Sequence, residues 1–216
     1  ILLFTDTTEM VAARVNKLLN NSVKVKIEPY EFAKALEDIK SLTNNASEFL
    51  FNLTGGTKIM ALAAYQVAKD NRSKFVYLQS EGRKSILYSY SAESDNYTNP
   101  SKEFIPGLID IDMYLKAHLP DYDVTGYSTM RDSDKLTIGG EFEKAIYEAI
   151  DKNKFEILFG IKPKGVGEQI EIDMAIRLKG TNNVGIAEIK LADKGNERPK
   201  KGIDQLTTAA EQEYLG

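Results

Sequence analysis

The apolar positions in the first half of the chain alternate between strand-like and helix-like spacing. The short apolar runs "ILLFT", "VKVKI", "EFLFNL", "KFVYLQ" and "SILYSY" predict strands. Three stretches between them carry apolar residues on one helical face: Thr8–Asn20, the segment "PYEFAKALEDIKSL" and Lys58–Lys69. Such alternation predicts an α/β domain whose parallel sheet is covered by helices.

The second half starts with different spacing after a polar, turn-rich stretch at Ser91–Ser101. The run "LIDIDMYLKAHLP" predicts a strand and a short helix. We expect residues 116–138 to form a linker between two domains. From Gly139 onward, "EFEKAIYEAIDK" predicts an amphipathic helix, followed by the strands "KFEILFGIK", "QIEIDMAIRL" and "VGIAEIKL". We therefore expect two α/β domains, over residues 1–115 and 139–216.

Composition narrows the functional classes. The 216 residues include no cysteine, which excludes disulfides, thiolate catalysis and cysteine–zinc sites and is consistent with a reducing compartment. No apolar run approaches the ~20 residues that span a bilayer, so we expect a cytoplasmic protein without a membrane partner. The net charge of −4 gives no global attraction for nucleic acid, so any such contact must be local or assisted by a metal ion.

The segment Thr54-Gly55-Gly56-Thr57-Lys58 lies where a predicted strand passes into a helix. A cation in the first turn of a helix is unfavourable by about 0.3–1 kcal/mol unless an anion joins it. Loops at the carboxyl ends of parallel strands are the usual ligand sites of such sheets. The segment therefore indicates an anionic ligand, although a tight strand-to-helix turn explains it too; the spacing of a Walker P-loop is absent.

A second group of polar residues lies on the predicted hairpin of the second half. If Leu178 pairs with Asn183, Asp173 lies roughly opposite Glu188, with the β-carbons about 5 Å apart. Opposed carboxylates repel unless a cation joins them, and Mg²⁺ or Mn²⁺ prefers carboxylate oxygens. Lys190 shares a face with Glu188, and Glu143 on the preceding helix offers a third carboxylate. The alternative is that these charges occupy the solvent face of ordinary strands.

Both halves resemble known families. "NLTGGTKIMALAAYQVA" resembles the ligand loop and helix of CARF domains, the CRISPR-associated Rossmann folds that sense cyclic oligoadenylates. "IGGEFEKAIYEAI…EIDMAI…GIAEIKLAD" resembles the PD-(D/E)xK nuclease fold, which is restriction-endonuclease-like. The resemblance implies that Thr54–Lys58 contacts the ligand. It also implies a nuclease centre made of Glu143, Asp173, Glu188 and Lys190, with Gln205 as an accessory position and Glu143, Asp173 and Glu188 as metal ligands.

Together the two resemblances imply an effector nuclease of type III CRISPR antiviral defence, activated by a cyclic oligoadenylate, with the tetramer as the favoured ring. The implied protein is a homodimer that uses Mg²⁺ or Mn²⁺ to cleave DNA or RNA. The alternative is a non-catalytic nucleotide-sensing module whose second half binds a partner or DNA. The family carries a further strand and loop before "ILLF", so we expect that residues are missing before Ile1, and the nuclease half ends early at Gly216.

Four aromatic or polar side chains lie on the predicted strands that follow the Gly-Gly segment. We predict that these residues mainly pack and cap the strands, with one or two of them within reach of an adenine: Tyr77, Gln79, Tyr88 and Tyr90.

Overall fold

The computed structural model describes residues 1–44, 48–81, 84–91, 99–165 and 171–191. The chain divides into two compact units between Pro106 and Gly107. The predicted loop at Ser91–Ser101 lies largely outside the described residues. Among the described residues, no helix combines the length and apolar character needed to cross a membrane.

The first unit alternates strands and helices before it ends in consecutive strands. Its described elements are β1 (Leu2–Phe4), α1 (Glu9–Leu18), β2 (Lys24–Lys26), α2 (Phe32–Thr43), β3 (Leu50–Asn52), α3 (Lys58–Asp70), β4 (Lys74–Glu81), β5 (Lys84–Ser91) and β6 (Ser101–Ile105). A short 3₁₀ turn, Asp6–Thr8, precedes α1.

Strand direction in the first unit differs in part from the prediction. Strand β1 pairs with β2, and β3 with β4, in parallel. Strands β4, β5 and β6 form antiparallel pairs, giving a described sheet in the order β3-β4-β5-β6. The expectation of a parallel sheet is therefore wrong for β4–β6, because the spacing of apolar residues indicates that a strand exists but not its direction.

The core of the first unit lies where α2 and α3 meet the strands. Ile39 of α2 and Val67 of α3 are buried in one cluster together with Ile27, which follows β2. Side chains from β1 and β3, including Leu3 and Phe51, pack against this cluster. The parallel strands thus share one apolar layer with two helices, which fixes where the loops at their carboxyl ends emerge.

The described part of the second unit is an antiparallel sheet with two helices. Its described elements are α4 (Ile111–His118), β7 (Tyr122–Val124), α5 (Ile138–Ala149), β8 (Phe155–Pro163), β9 (Ile172–Leu178) and β10 (Val184–Ala187). The sheet order is β10-β9-β8-β7. Ile111 and Leu115 of α4 are buried against Ile161 and Ile172 of the sheet, while Tyr147 of α5 meets the ring of Phe159 at 6.1 Å.

The stretch 116–138, predicted as a linker, is built into the second unit. It carries the end of α4, the strand β7 paired with β8, and the first residue of α5. Leu119 is 2% exposed within the core. The polar, turn-rich sequence suggested a linker because β7 is only three residues long and shows little apolar alternation.

Candidate functional site

The predicted ligand loop, Thr54–Lys58, connects the carboxyl end of β3 to α3. Asn52 accepts the Thr54 N–H on its side-chain oxygen at 3.0 Å, which forms an Asx turn. The Thr54 hydroxyl oxygen in turn accepts the N–H of Leu78 at 2.7 Å. The backbone N–H of Thr54 is therefore fixed to β3, and its side chain is fixed to the neighbouring strand β4.

The two glycines form the exposed turn of the loop. Gly56 has a φ of +84°, a conformation that L side chains rarely adopt. A β-carbon on Gly55 would meet no other atom within 4 Å, so the space next to this backbone is open. A ligand can therefore approach the main chain of Gly55 closely, whereas the Met60 side chain lies beside Gly56.

Thr57 begins α3 as its N-cap. Its hydroxyl oxygen accepts the N–H of Met60 at 3.2 Å and its hydroxyl proton goes to the carbonyl oxygen of Pro29 at 2.6 Å. The second bond ties α3 to the segment after β2. Lys58, the first helical residue, is exposed and forms no ion pair with any described residue. The loop thus presents helix N–H groups and an unpaired ammonium on one exposed surface.

The carboxyl ends of three strands converge around this loop. Phe4 of β1 accepts the N–H of Ile27, just after β2, at 2.8 Å. Pro29, two residues further, is the residue that Thr57 contacts. The turn that follows β1, starting at the buried Thr5, is at the same edge. Sequence reasoning overlooked Thr5 and Pro29; the signal for Thr5 was its position at the carboxyl end of the predicted strand "ILLFT".

The second candidate site depends on the hairpin β9–β10, and its register is the predicted one. Val184 pairs with Arg177 and Ala187 with Met174. One step beyond the last pair brings Glu188 opposite Asp173. The extended period-2 alternation and the turn between the strands were sufficient to predict this pairing.

Asp173 and Glu188 are both held by specific contacts. The Asp173 Oδ2 atom accepts the N–H of Ile189 at 2.7 Å, which joins it to the backbone directly after Glu188. The Glu188 Oε1 atom lies 2.6 Å from the Lys190 Nζ atom. The Glu188 side chain is 8% exposed and that of Lys190 is 45% exposed. The structure therefore brings Asp173, Glu188 and Lys190 together at one end of the hairpin.

The pairing between β8 and β9 is interrupted at Asp173. The β8–β9 ladder pairs Phe159 with Met174 and Ile161 with Ile172, and it omits the intervening pair of Gly160 and Asp173. Gly160 has a φ of +63°, and a β-carbon there would lie 2.6 Å from the Thr125 hydroxyl oxygen. Only glycine is compatible with this position. Sequence reasoning overlooked Gly160, although an isolated glycine within a strand pattern was the available signal.

Glu143 has a different environment from the one predicted. It is 8% exposed, and its two carboxylate oxygens accept the N–H and the hydroxyl of Ser128, each at 2.8 Å. The pKa of the neighbouring Tyr127 is raised, mainly by burial. The charges of Tyr147, Glu148 and Glu143 raise this pKa further. Within the described ranges, no three acidic or histidine side chains are grouped closely enough to hold a metal ion. Among the described residues the expected trio of metal ligands with Glu143 is therefore not assembled, and the Glu143 carboxylate is instead bound by Ser128.

The remaining predicted position of the nuclease half, Gln205, lies outside the described residues.

The comparison with known protein families gives a match in the first unit. Residues 2–103 match the family model described as the Card1 CARF domain. The first unit thus has a CARF-type, Rossmann-like α/β fold, as predicted. No curated protein matches the chain in sequence.

Solved structures that are similar over nearly the whole chain include the following two. One is Can2 from Sulfobacillus thermosulfidooxidans in complex with cyclic tetra-adenylate, with a TM-score of 0.72 and 15% identity. The other is the protein VC1899 from Vibrio cholerae, with a TM-score of 0.61 and 13% identity. Each match covers 99% of this chain and 79% of the other. At such identities the likeness establishes the fold alone.

Proposed function

We propose that this chain is a cyclic-oligoadenylate-activated, metal-dependent nuclease of type III CRISPR defence. The observation that carries the sensing half is the exposed loop Thr54–Lys58 within a unit that matches a CARF family model. The similar fold of Can2, a protein solved with cyclic tetra-adenylate, supports the choice of the tetramer as activator.

The ligand loop offers the chemistry that a phosphodiester requires. The first N–H groups of α3 lack intrahelical partners and carry partial positive charge. The open space at Gly55 lets a phosphate approach the backbone, the positive φ of Gly56 forms the turn, and Lys58 adds a full positive charge. A cyclic, symmetric tetranucleotide is bound best by a two-fold dimer in which each protomer contributes one loop.

The hairpin site has donors suited to Mg²⁺ or Mn²⁺. These ions commonly bind through one or two carboxylates, keep several waters and complete their shell with substrate phosphates. Asp173 and Glu188 supply two such carboxylates, and the contacts described above engage one oxygen of each. When bound, the ion supplies Lewis-acid stabilisation of the phosphate and a more acidic water.

The protein's own groups have distinct roles in the proposed cleavage. The Ile189 N–H orients Asp173 through its Oδ2 atom. Lys190, paired with Glu188 in this structure, is positioned to stabilise negative charge that develops on a scissile phosphate. Glu143 acts as a positioning residue that holds Ser128 against the start of α5.

The test is plasmid and RNA cleavage by the full chain in the presence of Mn²⁺ and cyclic tetraadenylate. We expect Asp173→Asn, Glu188→Gln and Lys190→Met each to abolish cleavage, and EDTA to have the same effect. Glu171→Gln is the matched control, since Glu171 lies just before β9 and pairs with Lys162 at 3.5 Å on an exposed surface. Cleavage by Glu188→Gln at the rate of the Glu171→Gln control would refute the nuclease proposal.

A second candidate function is a non-catalytic sensor whose second unit binds a partner or DNA. The observation that favours it is the engagement of Glu143 by Ser128 together with the lack of a three-acid group among the described residues. The same assay discriminates between the two: ligand binding without any cleavage of DNA or RNA, and with retained nucleic-acid binding in EDTA, identifies the non-catalytic sensor.

A further inference from the structure

The face of the first sheet next to the ligand loop carries a pair of tyrosines, of which Tyr77 is exposed and Tyr88 is half-buried. Tyr77 of β4 pairs directly with Tyr88 of β5, so both side chains lie on the same face, about 5 Å apart at their β-carbons. Two residues earlier, Phe75 stacks on Tyr90 at 4.9 Å and meets Tyr65 of α3 at 5.5 Å. Phe75 is 8% exposed under the helix, whereas Tyr77 is 44% exposed.

The helix geometry places Tyr77 close to the ligand loop. A helix that connects two parallel strands runs antiparallel to them, so α3 starts above the carboxyl end of β4. Lys58 precedes Tyr65 by seven residues, or ~10 Å of helix. That distance equals roughly three residues of strand beyond Phe75, which is the level of Leu78. The bond between Thr54 and Leu78, at 2.7 Å, independently fixes the loop at this level.

The charge and polarity around the two tyrosines suit a nucleobase attached to a phosphodiester. Lys102 of β6 pairs with Tyr88 and places its Nζ atom 5.3 Å from the centre of that ring. Gln79 lies on the same face, two residues after Tyr77. Its amide nitrogen donates to Glu81 at 2.9 Å, and its amide oxygen accepts no bond from any described residue.

We propose that Tyr77 stacks on an adenine base of the cyclic oligonucleotide held by Thr54–Lys58, and that the Gln79 amide oxygen accepts the adenine 6-amino group. The proposal rests on the proposed function and adds base recognition to it. An adenine donates a proton at its 6-position, whereas hypoxanthine presents an acceptor there, so the Gln79 oxygen discriminates between the two bases.

The first experiment compares the binding of cyclic tetraadenylate to the full chain and its Tyr77 variants by calorimetric titration. We expect Tyr77→Ala to weaken binding roughly 5- to 150-fold, the effect of losing one base–aromatic stack. Tyr77→Phe keeps the ring and should bind within about threefold of the parent. Since Tyr77 is exposed, both variants should melt at the parent's temperature, which checks that the fold is intact.

The second experiment requires no variant in its first arm. The parent should bind cyclic tetraadenylate at least tenfold more tightly than its inosine analogue, in which each 6-amino group is replaced, and Gln79→Leu should reduce this preference. Parent-like affinity of Tyr77→Ala, or a parent without preference for adenine, would overturn the base-recognition proposal and leave the proposed function standing. A parent that binds no cyclic tetraadenylate would overturn both.

Discussion

The position of Thr57 makes the structure of the ligand loop directly testable. One hydroxyl makes two bonds: it caps α3 through the N–H of Met60 and donates to the carbonyl oxygen of Pro29. Thr57→Val keeps the size and branching of the side chain and removes both bonds. Thr57→Ser keeps the hydroxyl and removes only a methyl group.

The expected loss of stability follows from these two bonds. Removal of an N-cap hydroxyl costs about 1 kcal/mol, within a range of about 0.5–2. Loss of a buried or half-buried hydrogen bond costs about 0.5–1.5 kcal/mol more, because the Pro29 oxygen loses its partner. We therefore expect Thr57→Val to lower the free energy of unfolding of the first unit by about 2 kcal/mol, and Thr57→Ser by less than about 0.5.

Urea unfolding followed by far-ultraviolet circular dichroism measures this difference. With a slope of about 2 kcal/mol per molar urea, the transition of the first unit should shift by about 1 M in Thr57→Val. An equal shift in Thr57→Ser would show that the methyl group and not the hydroxyl stabilises the loop. An unchanged midpoint in Thr57→Val would refute the assignment of Thr57 as the cap that joins α3 to Pro29.

Three further predictions concern the ligand loop, the hairpin site and the helix α5. Lys58→Ala should weaken calorimetric binding of cyclic tetraadenylate roughly ten- to a hundredfold, and unchanged affinity would contradict the anion-binding role of the loop. Mn²⁺ should raise the melting temperature of the parent; an equal rise in the double variant Asp173→Asn/Glu188→Gln would place the ion elsewhere. Gly140→Ala should lower the melting temperature, because its β-carbon would collide with a backbone carbonyl oxygen, whereas Gly139→Ala meets only a side-chain oxygen at 3.5 Å and should be neutral or stabilising.

The hairpin of the second unit was predictable because its register has few alternatives. Apolar side chains alternate along "EIDMAIRL", so a slip by one residue would reverse the buried and exposed faces. The short turn before Val184 then determines which residues pair. The same two constraints brought Asp173 opposite Glu188, and the structure has this register.

The antiparallel pairing of β4 with β5 is predictable from the sequence. Only two residues separate Glu81 from Lys84 in the chain. A connection of this length permits antiparallel pairing alone, since a parallel crossover needs a dozen residues or more. The alternation of strands and helices before this point obscured the change.

The environment of Glu143 could not be predicted from the local sequence pattern. The helical period correctly places this residue on α5, but its partner Ser128 lies fifteen residues earlier, in the stretch predicted as a linker. The fold-back that joins them passes through the bridge between Thr129 and Leu136. Contacts of this kind depend on tertiary structure, so the spacing of carboxylates in the sequence could not distinguish a metal ligand from a buried acceptor.

The two lysines of the candidate sites illustrate opposite electrostatic situations. Lys190 lies beside the nearly buried carboxylate of Glu188, so its charge is compensated within the protein. Lys58 is exposed at the start of α3 and forms no ion pair with any described residue, so the unfavourable interaction with the helix dipole, about 0.3–1 kcal/mol, has no described compensation. An anion at the loop removes this cost and adds its own attraction to the helix N–H groups. In the proposed function, the loop Thr54–Lys58 therefore gains most from an anionic ligand, and the hairpin site exchanges an existing contact, between Lys190 and Glu188, for contacts with a substrate phosphate.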